Sequence, residues 1–169
     1  MGKAKRKDRR LFYVEETTSG NSVTQDFEAI GKDNDELSRE LNNEVEAKEN
    51  VLGETTVEIT KAPQVTTVDP CYYRSESKLA QKLKSIEWED KDGDEVIEKF
   101  MEVDLTDEPV SGEYPAFIQN AAIDVKSAGG DTKGLAYPFD LNWVGPKTYG
   151  TFNPTSKEFT PTASASVGE

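Results

Sequence analysis

The stretch that decides the fold is Leu135-Ala136-Tyr137-Pro138-Phe139-Asp140-Leu141-Asn142-Trp143. A large apolar side chain stands at every second position, with small or polar residues between. A period of two sends alternate side chains to opposite faces of an extended chain, so this is read as a half-buried antiparallel strand. Pro138 falls on the outer face and brings no N–H, which points to an edge strand or a bulge.

The same alternation recurs outward from this stretch. Ala121, Ile123 and Val125 alternate, as do Met101, Val103 and Leu105, and Val57 and Ile59 against Glu58 and Thr60. Residues 11–14, 25–30 and 65–68 also read as strands, the last ended by Asp69-Pro70. Gly129-Gly130-Asp131 reads as the turn before the deciding strand, and Asn153-Pro154 as the centre of a last hairpin.

One helix is expected over residues 75–88, capped by Ser75 or Ser77. Its apolar positions Leu79, Leu83 and Ile86 recur at i, i+4 and i+7. Leu37, Leu41 and Val45 share that spacing, which on paper is helical. The expected fold class is mainly β: an antiparallel β-sandwich or barrel-like domain with one flanking α-helix and extended arms. The chain divides into a basic N-terminal arm (1–10), a β domain (11–160) and a flexible Ser/Thr/Ala tail (161–169).

Composition narrows the function. The 169 residues carry a net charge of −13, yet the first ten carry six bases against Asp8 alone. Such an asymmetry marks an interaction tail. Leu, Ile, Val and Phe number 35, about a fifth of the chain, so the core is thin and extended parts are expected to gain burial from partner subunits. No apolar run is long enough to span a membrane, and no apolar stretch follows the N-terminal charges as in a signal peptide.

Catalytic and metal chemistry find little here. Histidine is absent, which removes the usual general base near neutral pH and the commonest metal ligand. Cys71 is the single cysteine, so an intrachain disulfide and a cysteine-based zinc site are both excluded. The acidic run at residues 89–95 fails as a calcium loop. Counted from Asp90, Gly93 is fourth rather than sixth, and Met101 stands where a ligating Glu is required. A helix-to-strand turn or hairpin is the better reading. No phosphate-binding or nucleophile motif occurs, and aromatics are not interleaved with bases after residue 14. No enzyme activity, cofactor or metal is expected.

Three passages and a C-terminal echo carry a family resemblance. Leu41 to Val57 reads LNNEVEAKENVLGETTV. Val68-Asp69-Pro70-Cys71-Tyr72-Tyr73 precedes the short helix. Gly129-Gly130-Asp131-Thr132-Lys133-Gly134 leads into Tyr137-Pro138-Phe139, and Gly150-Thr151-Phe152-Asn153-Pro154 follows near the end. In this combination and order they resemble major tail tube proteins of tailed phages that infect Gram-positive bacteria. The likeness covers about residues 37–160. The basic first ten residues and the C-terminal tail depart from it.

The resemblance implies a β-sandwich or barrel-like tube fold and hexameric rings stacked into a hollow conduit for DNA. It implies a virion tail protein assembled in the host cytoplasm, with copies of itself, tape measure protein and tail terminator as partners. It also implies that 41–57 forms a long hairpin or loop used in ring contacts, so strand and loop are preferred to helix for residues 37–45. The expected contact residues are Asn42, Asn43, Glu44, Glu46, Lys48, Glu49 and Asn50, with Lys5, Arg6, Arg9 and Arg10 of the arm docking on an acidic neighbour. Glu58, Glu98, Glu102 and Asp124 are expected to line the lumen, where a negative wall repels passing phosphates within a Debye length of about 8 Å. The rival readings are a monomeric β-sandwich binding or adhesion module, a tail terminator, and the tube of a contractile tail.

Overall fold

A computed structural model describes residues 2–162. The chain forms strands β1 (Arg9–Ser19), β2 (Ser22–Ala29), β3 (Arg39–Glu40), β4 (Glu44–Glu49), β5 (Thr55–Thr60) and β6 (Val65–Val68). Helix α1 (Lys78–Trp88) follows, then β7 (Ile97–Asp104), β8 (Tyr114–Val125), β9 (Gly129–Asp131), β10 (Gly134–Ala136), β11 (Phe139–Asn153) and β12 (Glu158–Pro161). The fold is mainly β, with one flanking α-helix and antiparallel pairing throughout.

Eight strands make one sheet in the order β2-β1-β7-β8-β11-β6-β3, with β12 also on β11. The sheet has two apolar faces because its central strands alternate large side chains on both sides. Leu11, Tyr13, Phe100, Ala121, Ile123, Phe139, Leu141 and Trp143 face one core. Val14, Met101, Val103, Ala116, Ile118 and Phe152 face another. The sheet rolls towards this second face: Phe152 of β11 meets Phe12 of β1 at 5.6 Å and Phe27 of β2 at 5.1 Å between ring centres. A roll of this kind brings the two ends of a twisted sheet together without sealing them. Between the outer edges of β2 and β12 an open groove of about 1140 Å³ remains, lined by Val23, Phe27, Ile118, Phe159 and Pro161 among others.

Helix α1 covers the first face with Leu79, Ala80, Leu83 and Ile86, all buried. Ser77 is its cap: its Oγ accepts from Ala80 N at 3.0 Å. Glu28 of β2 completes the cap, accepting from Ser77 Oγ at 2.6 Å and from Lys78 N at 2.8 Å. A carboxylate there meets both the unpaired N–H groups and the positive end of the helix dipole.

Several sequence expectations change on the fold. The alternation through residues 135–143 belongs to two strands. β10 pairs with β9, the chain then crosses Tyr137-Pro138, and β11 begins at Phe139. Pro138 is therefore at a crossing rather than in an edge strand, and its carbonyl accepts from Lys126 N at 2.8 Å. β11 itself is interior, flanked by β8 on one side and by β6 and β12 on the other. Gly129-Gly130-Asp131 is a short strand, and the turn lies just after it. The arm is shorter than expected, because Arg9 and Arg10 already belong to β1 and Arg6–Asp8 form a 3-10 turn. β12 runs to Pro161, and the rest of the expected tail, residues 163–169, lies outside the described residues. Residues 37–45 are strand and loop, the acidic run at 89–95 joins α1 to β7, and the last hairpin closes around Asn153-Pro154.

Candidate functional site

The feature with no role inside the subunit is the β4–β5 hairpin. Its two strands pair with each other and form a sheet of their own, separate from the main one. Every residue of both strands is exposed. A two-stranded hairpin with neither face covered is marginal in water. The turn is held by Asn50, whose Oδ1 accepts from Leu52 N at 2.9 Å and Glu54 N at 3.0 Å, while Gly53 takes a left-handed φ of +79°. At the base, Asn42 Nδ2 donates to Pro63 O at 3.0 Å.

Register makes the hairpin two-faced. Val45 pairs with Ile59 and Ala47 with Val57, giving an apolar face. Val45, Val57 and Ile59 are each at least 60% exposed, and Val51 and Leu52 at the tip are more so. The other face carries Glu44, Glu46, Lys48 and Glu58. Glu46 stands directly opposite Glu58, a like-charge rung that weakens the hairpin in isolation. Lys48 approaches Glu46 at 3.8 Å, but both are about two-thirds exposed.

The expected contact residues therefore fall into distinct roles. Glu44, Glu46 and Lys48 lie on the polar face, and Glu49 shares the side of Val45 and Ala47. Asn43 sits in the approach to β4, and Asn42 and Asn50 hold the hairpin's shape. Sequence reasoning missed the apolar members Val45, Val51 and Leu52 as contact candidates: Val45 shared a helical spacing with Leu37 and Leu41, and Val51 and Leu52 lie in the turn, outside any alternation.

The basic arm is partly engaged with its own subunit. Arg6 Nε donates to Leu37 O at 2.8 Å, Arg10 Nε to Lys7 O at 2.9 Å, and Lys5 N to Asp8 Oδ2 at 2.7 Å. Arg9 reaches Glu102 at 3.5 Å.

The four expected lumen acids are not gathered on one surface. Glu102 is 7% exposed and faces Arg39, whose Nη1 donates to its Oε2 at 3.1 Å. Glu98 lies on the helix-covered face, bound by Lys82 at 3.1 Å. Glu102 is corrected from a wall charge to an internal ion-pair partner, because it is buried under Arg39, whereas Glu98 stays partly exposed beside Lys82. Glu58 is exposed on the hairpin, and Asp124 is exposed beside Lys126 at 2.6 Å.

Arg39 is the polar centre that the sequence did not disclose. Its guanidinium donates to Glu102, to Gln64 Oε1 and to Gln119 Oε1, and lies 4.2 Å from the Trp143 ring centre and 5.5 Å from that of Phe117. Burial pushes its pKa down from the ordinary arginine value, and Glu102 opposes that shift. Beside it, Lys147 Nζ lies 4.6 Å from the Phe117 ring centre. Its pKa is lowered by burial first and then by Arg39. Trp143 Nε1 donates to Thr66 Oγ1 at 2.9 Å, so the indole is fixed from its far side.

Among the described residues, no group of three or more acids and Cys71 is placed to hold a metal ion, and no helix is long and apolar enough to cross a membrane. The chain matches no protein-family model, and no curated protein matches it.

Proposed function

We propose that the chain is a structural subunit that assembles with copies of itself into stacked rings, the tail tube of a tailed phage. The observation that carries the proposal is the β4–β5 hairpin: apolar on one face, exposed on both, and attached to the subunit only at its base. An apolar face of this kind is covered when a partner arrives. The passage that forms the hairpin is also one of those that, in combination, resemble tail tube proteins.

The free edges of β2 and β12 support the same reading. Exposed edges template pairing with another chain, and a ring of subunits covers them. In this assembly tape measure protein and tail terminator are the neighbouring partners, and DNA passes without specific binding. The net charge of −13 disfavours retention of a polyanion on the wall, with Glu58 and Asp124 as the exposed acids left from the expected set.

Light scattering after size exclusion, with negative-stain microscopy across a concentration series, tests the proposal. Rings or tubes are the expected result. A single species at the 18.7 kDa monomer mass at every concentration supports the binding-module reading and overturns this one.

A further inference from the structure

The hairpin's acidic face needs a cation, and the chain carries a group of them at the hairpin's own base. Lys61 follows β5 immediately and is exposed. Lys147 sits in the irregular stretch of β11 over Phe117, whose ring is 6.0 Å from that of the exposed Tyr149. Arg9 approaches Glu102 from the solvent side with its side chain about half exposed. Arg39 and Arg9 reach the buried Glu102 carboxylate at 3.1 and 3.5 Å, Arg39 and Lys147 lie 5.5 and 4.6 Å from the same Phe117 ring centre, and Lys61 stands three residues before Gln64, which accepts from Arg39 Nε. Neither Lys61 nor Lys147 forms an ion pair among the described residues. In a chain of net charge −13 this is a local excess of positive charge.

Resting on the self-assembly reading above, we propose that the acidic face of the β4–β5 hairpin of one copy docks on the Arg9–Lys61–Lys147 patch of the next. Glu46 and Glu58, side by side on opposed strands, are the ligands. Their mutual repulsion turns into shared attraction once a lysine or arginine head lies between them. Tyr149 gives the patch an apolar floor on which the hairpin's methylene stems rest.

The geometry also sets the form of the assembly. Six residues per strand let the hairpin project about 20 Å from its base. Donor and acceptor are different surfaces of one chain, and in the ring reading above one copy's hairpin serves the next copy's patch without a return contact, so the contact runs head to tail. It repeats until it closes a ring or extends a filament. A hairpin that bound its own kind of surface would stop at a dimer.

Charge reversal tests this. Glu46→Lys with Glu58→Lys changes only exposed positions. Lys61→Glu with Lys147→Glu changes the patch, and Lys61→Glu alone keeps an exposed patch variant in hand should the half-buried Lys147 variant fail to fold. Each set is expected to raise the concentration for half-assembly about tenfold. A chain carrying both reversals regains the contact with its signs exchanged and should return to within about threefold of the parent. Hairpin reversal without effect, or a combined variant as weak as either set, overturns the docking proposal while a parent that still forms rings leaves the assembly reading standing. A parent that never assembles sinks the assembly reading first. A short duplex DNA that binds the parent and is lost on patch reversal, with assembly unchanged, assigns the patch to phosphate and also overturns the proposal.

Discussion

Replacing Arg39 by methionine removes one charge from the core and leaves the rest of the site in place. The structure sets the magnitude. The Arg39–Glu102 contact is 3.1 Å, and both side chains are less than a tenth exposed. At an effective dielectric of about 20 the attraction is about 5 kcal/mol, most of it offset by the desolvation of both groups. Breaking such a pair from one side costs about 3–5 kcal/mol, because the partner stays buried and uncompensated. Arg9 still approaches Glu102 at 3.5 Å, so the lower end, about 3 kcal/mol, is expected. Methionine keeps an apolar stem, so the loss is that of the charge, the hydrogen bonds and the guanidinium's contact over the Trp143 ring. The further change Glu102→Leu removes the stranded carboxylate, and the double variant should recover most of the stability. Urea unfolding followed by tryptophan fluorescence, at concentrations where the chain is monomeric, measures both. A cost below about 1 kcal/mol for Arg39→Met, or a double variant as unstable as the sum of the single changes, refutes the reasoning.

Two further outcomes follow from titrating groups. Asp33 accepts from both Nη atoms of Arg74 at 2.6 and 2.8 Å and from Tyr72 N, and the Arg74 hydrogen bonds hold its carboxyl below the usual range. A folded pKa below the unfolded one means stability that is present above about pH 4 and lost as the pH falls further. Asp33→Asn should therefore flatten the acid end of the stability profile, and identical profiles for parent and variant count against the pairing. Burial, with Asp33 adding to it, pushes the Cys71 thiol up to about 11. Alkylation of the folded chain should stay slow at pH 8 and speed up only towards that value, whereas the unfolded chain reacts as an ordinary thiol; a folded-state midpoint near 8.5 is the contrary result.

The sequence made some of this legible and hid the rest for identifiable reasons. Alternation is a local signal, so it found the strand character of residues 135–143 and the facing of Val57 and Ile59. It says nothing about pairing, and so it joined β10 and β11, whose partners differ. The cap was legible to within Ser75 or Ser77 because capping is a local pattern, while Glu28 came from another strand, far away in sequence. Arg39 and Glu102 are 63 residues apart, and neither stands out in a chain with 20 bases and 33 acids. For the same reason Glu102 passed for a surface charge. The 41–57 hairpin was expected from resemblance, yet only the tertiary arrangement shows that none of the described residues covers it.

β11 touches both cores, Phe139, Leu141 and Trp143 on one side and Phe152 on the other. Between these parts its ladder with β8 slips: Val144 faces Asn120 and Thr148 faces Ile118, so three residues stand against Gln119 alone. The surplus over a regular ladder is two, an even number, and the strand resumes with its inward side still inward. An odd surplus would turn Phe152 and Gly150 to the wrong side while Trp143 stayed in place. The stretch 145–147 therefore behaves like a vernier on the strand. Adding or removing residues there in pairs keeps the two cores in phase, and a single-residue insertion or deletion throws one of them inside out.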